Sequence, residues 1–125
     1  MVVVAIDNEP RILEGMKVLL GGWGCHVIVA GSLKQAEQAL AAAKTVPQAI
    51  IADYHLDDTG GIETITALRW KFGAALPAIL LTADRTQVVR LEAEAKDIKL
   101  LNKPLKPAAL RALLAQWRIS RVAAE

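Results

Sequence analysis

Four short apolar runs of the chain each lead into a residue able to handle charge. Val2-Val3-Val4-Ala5-Ile6 leads into Asp7-Asn8-Glu9, and Ala49-Ile50-Ile51-Ala52 into Asp53; Ala78-Ile79-Leu80-Leu81 leads into Thr82-Ala83, and Ile98-Lys99-Leu100-Leu101 toward Lys103-Pro104. If these runs are parallel strands of one sheet, their carboxyl ends share an edge. Two carboxylates, a hydroxyl and an ammonium then converge on one crevice. Carboxylates on neighbouring strands, roughly 5 Å apart, repel by about 3 kcal/mol at an effective dielectric of about 20, so the pair asks for a cation. Hard oxygen ligands with open positions favour Mg²⁺, which keeps waters and takes one or two carboxylates plus a phosphate. Beside such an ion Asp53 can attack a phosphoryl donor in line, while Thr82 donates its hydroxyl to one phosphoryl oxygen and Lys103 pairs with another.

Taken singly, these residues have plainer roles. Asp7 or Asp53 alone reads as a loop or cap residue, Thr82 as a β-branched strand residue, and Lys103 as a solvated loop lysine. Glu9 suits the start of a helix by its charge, and His26 and Cys25 read as structural. Only the set, one member per strand end, points to phosphoryl chemistry.

The elements that must position the set follow from hydrophobic period. Strands are expected at 2–6, 26–30, 49–52, 78–81 and 98–101. Pro10 opens a helix with Ile12, Leu13, Met16, Leu19 and Leu20 at helical spacing, stopped by Gly21-Gly22-Trp23-Gly24. Ser32 caps a second through Leu33, Ala36, Ala39, Leu40 and Ala43. A third runs from about Gly61 through Ile62, Ile65 and Leu68 to near Gly73. Asp84 is the expected N-cap of a fourth, carrying Val88, Leu91 and Ala95, and Pro107 opens a fifth, carrying Leu110, Leu113, Leu114 and Trp117. Residues 119–125 read as a frayed tail. Five βα units with right-handed crossovers make a parallel sheet covered by helices on both faces. The expected fold is therefore doubly wound α/β, flavodoxin-like, in the strand order 2-1-3-4-5, which sets Asp7 beside Asp53 at the point where winding reverses.

Composition narrows the partners. The chain has 125 residues, 54% hydrophobic and 22% charged, which fits one globular domain over 1–125. Its net charge of +2 comes from scattered Lys and Arg and gives no concentrated basic face, so no direct nucleic-acid contact is expected. Cys25 is the single cysteine, which suits a reducing compartment and a cytoplasmic location. No run is long enough for a signal h-region or a membrane span. The first strand begins at once after Met1, hinting at a module of a longer chain. Trp70, between Arg69 and Lys71, is the better candidate for a partner surface, whereas Trp117 fits core spacing.

In the order Asp7-Asn8, Asp53, Thr82-Ala83 and Lys103-Pro104, with Gly61 eight residues after Asp53, the chain resembles the receiver domain of two-component response regulators and hybrid histidine kinases. The phrases Ala52-Asp53-Tyr54-His55-Leu56-Asp57-Asp58, Leu81-Thr82-Ala83-Asp84 and Asn102-Lys103-Pro104-Leu105-Lys106-Pro107 look most like receivers of hybrid sensor kinases. The resemblance implies a phosphoacceptor rather than a conventional enzyme. Asp53 would take a phosphoryl group from a histidine kinase or histidine phosphotransfer domain, with Mg²⁺ held by Asp7, Asn8, Asp53 and the backbone carbonyl of His55. The His55 side chain would sit where the family tunes phosphoryl lifetime. Thr82 and Lys103 would sense the phosphate, and the face made by the last two helices and the strand between them would relay the change or form a homodimer.

Three positions depart from the family pattern. Asn8 stands where many receivers have a second acid, Asp57 where proline is usual, and Leu100 in place of the switch aromatic. They leave a second reading open, a pseudo-receiver that docks partners without phosphorylation. A haloacid-dehalogenase phosphatase fits less well, because Asp53-Tyr54-His55 lacks a second aspartate two residues on. A flavin protein is disfavoured because no hydroxyl- and glycine-rich phosphate loop follows the first strand.

Overall fold

The computed structural model describes residues 1–57 and 59–124, with side chains through Arg118. The elements alternate strictly: β1 (Val2–Ile6), α1 (Pro10–Gly22), β2 (His26–Ala30), α2 (Leu33–Ala43), β3 (Ala49–Asp53), α3 (Gly61–Phe72), β4 (Ala78–Thr82), α4 (Gln87–Ala95), β5 (Lys99–Asn102) and α5 (Pro107–Ala124). All strand pairs are parallel, in the order β2-β1-β3-β4-β5.

The central strands are unbroken apolar runs because both of their faces are covered. Alternate residues of each strand go to opposite cores. Val3, Ala5, Ala49, Ile51, Ile79 and Leu81 pack with Met16 and Leu20 of α1 and Leu110 and Leu114 of α5. Val4, Ile6, Ile50, Ala52, Ala78 and Leu80 pack with Ala36 and Leu40 of α2, Ile62, Ile65 and Leu68 of α3, and Val89 and Ala93 of α4. By the same alternation Asp7 and Asp53 lie on the α1/α5 side and Thr82 on the other, all at the carboxyl edge.

Local chemistry sets the helix starts. Pro10 occupies the first turn of α1, where its missing N–H costs nothing. At α2 the Oγ of Ser32 accepts from the Gln35 N–H at 3.2 Å, and Oε1 of Gln35 accepts from the Gly31 N–H at 2.9 Å, a reciprocal cap. Arg69, near the end of α3, donates to the carbonyls of Leu76, Lys96 and Asp97 and so ties α3 to the turn after α4.

Several expectations are corrected. Strand β3 includes Asp53, and β5 is displaced by one residue, to Lys99–Asn102. Helix α1 continues through Gly21 and Gly22. The N-cap of α4 is Thr86 rather than Asp84; the Asp84 carboxylate instead accepts from the Thr86 N–H at 2.8 Å, within the loop before the helix. The buried stripe of α4 is Val89 and Ala93, while Val88 and Leu91 are 75% and 53% exposed. Both stripes have helical spacing, and it is Val89 and Ala93 that face the core. Helix α5 runs to Ala124; Glu125 and the side chains from 119 onward, on which the expected frayed tail falls, lie outside the described residues.

Candidate functional site

Strand register brings the chemical residues to one rim. Ile6 is level with Ala52, so the next residues, Asp7 and Asp53, face each other across β1 and β3. Asp53 is paired with Leu81, one residue before Thr82, and Thr82 with Asn102, one residue before Lys103. The Lys103 ammonium lies 2.9 Å from Oδ1 of Asp53, reaching across β4 to do so. The peptide bond between Lys103 and Pro104 is cis.

Asp7, Asp53 and Thr82 are buried, at 5%, 6% and 0% exposure. Oδ1 of Asp7 accepts from the Glu9 N–H at 2.8 Å, but its buried Oδ2 has no hydrogen-bond partner. Burial raises the Asp7 carboxyl above its ordinary value of 3.8; the Asp53 and Glu9 carboxylates push the same way, against the Glu9 N–H and Lys103. An ionised, desolvated oxygen without a donor costs free energy and invites a cation.

The other half of the rim bonds mainly within its own loops, although the buried Oδ1 of Asn102, level with Thr82, has no hydrogen-bond partner. Oγ1 of Thr82 accepts from the Asp84 N–H at 2.9 Å, and the Thr82 carbonyl accepts from the Lys103 N–H at 2.9 Å. Asp84 sits below its ordinary value, chiefly through the Thr86 N–H and hydroxyl, with His55 adding to the shift. The Thr82 hydroxyl thus faces its own loop while keeping its hydrogen free to donate.

Gly61 allows α3 to start hard against β3. A Cβ at that position would collide with the Asp53 carbonyl oxygen and meet Cδ1 of Leu80 at 2.8 Å. The segment between is closed by the Gly61 N–H donating to the Tyr54 carbonyl at 3.0 Å. His55 and Asp57 in this segment are exposed.

Two arrangements escaped the sequence reading. Nδ2 of Asn8 donates to Oδ1 of Asp57 at 3.1 Å, joining the β1–α1 and β3–α3 loops; nothing in the order of residues links positions so far apart. Leu100 packs half-buried against the core under α2–α4, in the place read as that of a missing aromatic.

Among the described residues no group of three or more His, Cys, Asp or Glu side chains is placed to hold a metal. Mg²⁺ does not require such a cluster, since one or two carboxylates suffice. The unpartnered Asp7 oxygen, the Asp53 carboxylate, the Asn8 amide and the His55 carbonyl are all hard oxygen donors, and they fit that ion.

The family model of the response regulator receiver domain matches residues 3–115. The chain belongs to the response regulator receiver family. It is similar to the transcriptional regulatory protein KdpE of Mycobacterium tuberculosis (strain H37Rv), 34% identical over 119 residues, 93% of this chain and 49% of the relative. KdpE of Escherichia coli K12 is 34% identical over 116 residues, 90% of this chain and 48% of the relative. This receiver therefore spans about half the length of these curated relatives. Among solved structures, the Vibrio cholerae chemotaxis protein CheY4 superposes with a TM-score of 0.81 at 25% identity, covering 92% of this chain and 96% of that one. A receiver domain protein from Clostridium thermocellum reaches 0.86 at 18% identity over 99% and 98%, a likeness of fold alone. Receiver domains work in two-component signalling with histidine kinases or phosphotransfer partners, and they generally bind Mg²⁺ for phosphorylation. No described helix is long and apolar enough to cross a membrane.

Proposed function

We propose that this receiver accepts a phosphoryl group on Asp53 from the phosphohistidine of a kinase or phosphotransfer domain, and that Thr82 and Lys103 read the added charge. The observation that carries this is the Lys103–Asp53 ion pair at 2.9 Å beside the buried, unpartnered oxygen of Asp7.

An Asp53 oxygen attacks phosphorus, the P–N bond breaks, and the imidazole leaves with the electron pair. Lys103 holds the Asp53 carboxylate in one orientation and remains to pair with a phosphoryl oxygen. Asp7, Asn8, Asp53 and the His55 carbonyl would hold Mg²⁺, which when bound neutralises charge on the phosphoryl oxygens. Thr82, already accepting from Asp84, can donate its free hydrogen to a phosphoryl oxygen and draw the β4–α4 loop toward the rim.

The response would pass to α4, β5 and α5, the face through which a homodimer or effector would form; exposed Val88 and Leu91 on α4 support this reading. With Leu100 in place of an aromatic, it would travel by loop displacement rather than by ring rotation. The names of the relatives favour a transcriptional output for the parent protein over a hybrid kinase, with the protein acting in the cytoplasm and this domain touching neither nucleic acid nor membrane.

The test is labelling by a radiolabelled phosphohistidine donor with and without Mg²⁺. Labelling is expected to require the ion and to vanish in Asp53→Asn, with the fold unchanged by circular dichroism. Undiminished labelling of that variant sinks the assignment. A chain that neither labels nor responds to beryllofluoride with Mg²⁺ is a docking module instead.

A further inference from the structure

The hydrogen bond between Asn8 and Asp57 spans 49 residues of sequence and joins the two loops that flank the carboxylate pair. A primary amide offers a donor end and an acceptor end, and its neighbours decide which end faces where. An ionised carboxylate can only accept, so Asp57 engages the NH₂ of Asn8 and cannot engage its carbonyl oxygen. The amide oxygen is left uncommitted among the described residues, on the residue next to Asp7, whose buried Oδ2 lacks a partner.

We propose that Asp57 is a positioning residue for the cation site: it fixes the Asn8 amide so that its oxygen, not its NH₂, is offered to a bound Mg²⁺ or to a water on that ion. The inference rests on the reading of this rim as a Mg²⁺ site. Without Asp57 the amide turns freely, and half of its orientations present a donor to a cation. Neutral Asn8 is then a usable ligand only because of a carboxylate on another loop, which ties the two departures at positions 8 and 57 into one device.

The test is calorimetric titration of the full chain with Mg²⁺ alone, in wild type, Asp57→Ala, Asn8→Ala and the double variant, with Asp7→Ala marking the site. Asp57→Ala is expected to bind about ten-fold more weakly, the usual scale for losing the partner that orients a ligand. In the Asn8→Ala background the same change is expected to cost less than about two-fold, because Asp57 acts through Asn8. In metal-free protein, the side-chain NH₂ resonances of Asn8 should shift on Asp57→Ala, independently of any binding. Equal affinity of Asp57→Ala and wild type overturns the proposal, and so does an undiminished cost in the Asn8→Ala background, which would make Asp57 a source of charge alone. Wild type that binds no Mg²⁺, or binds it regardless of Asp7, overturns this inference together with the metal site itself, whereas the first two outcomes leave that site standing.

Discussion

The two halves of the rim are built on opposite terms. On the β1/β3 side, Asp7 and Asp53 are driven into the interior at the strand ends, and one Asp7 oxygen has no partner. On the β4/β5 side, Thr82, Asp84, Thr86 and Lys103 bond to one another through their loops. The carboxyl groups register the contrast: burial raises Asp7, whereas the Thr86 N–H lowers Asp84. One half is short of positive charge and stores a penalty for function, as sites that await a ligand commonly do. The other leaves the neutral Asn102 Oδ1 unpartnered but holds Thr82 and Asp84 in internal bonds that it can exchange for external ones. The Lys103–Asp53 pair joins them.

Gly61→Ala attacks the first half where it is tightest. The new Cβ must displace the Asp53 carbonyl or the start of α3, and a loss of about 2–3 kcal/mol is expected in chemical denaturation. A loss below about 0.5 kcal/mol would show that α3 can slide freely and that the acidic half is not rigidly built.

Asp7→Asn tests the stored penalty. The amide still offers an oxygen to the Glu9 N–H, but Mg²⁺ affinity is expected to fall by about a hundred-fold, roughly 2.7 kcal/mol. Without metal, the same variant should be more stable than the parent. An acid whose pKa is higher in the folded state binds its proton more tightly there, so parent stability falls as pH rises from about 3.8 through the folded value. The advantage of Asp7→Asn should therefore be full at neutral pH and vanish in acid. Thermal melts in chelator across pH decide the matter, and a variant less stable than the parent at neutral pH would remove the contrast between the halves.

Lys103→Ala separates them. Acceptance is expected to persist within about ten-fold of the parent rate, about 1.4 kcal/mol, while the change in intrinsic fluorescence on adding beryllofluoride and Mg²⁺ disappears. A full fluorescence response would relieve Lys103 of its reading role. Asp84→Ala should give the smallest effect and the opposite pH signature. Asp84 is lowered in the fold, so its contribution is present above its unfolded value and fades as pH falls through the folded one. Asp84→Ala should thus be slightly less stable than the parent at neutral pH and equal to it in acid, again by thermal melts.

Most of the fold was legible because its punctuation is local. Pro10, Ser32 and Pro107 mark helix starts by what their own rings and hydroxyl do, and strands covered on both faces appear as continuous apolar runs. Helix α4 was not legible in the same way. Val88, Leu91 and Ala95 form one helical stripe and Val89 and Ala93 another, and only the sheet beneath chooses between them. The cap moved for a related reason: Asp84 spends its carboxylate on the loop before the helix.

By itself the sequence determined which residues would stand at strand ends, since side-chain period and backbone stereochemistry act over a few residues and require no partner. It could thus name Asp7, Asp53, Thr82 and Lys103. The tertiary structure alone decided how they meet: that Lys103 reaches over β4 to Asp53, that an oxygen of Asp7 is sealed in without a donor, and that Asn8 bonds to Asp57. Those facts depend on distances between loops far apart in the chain, and such distances exist only once the strands have paired in register and both cores have closed.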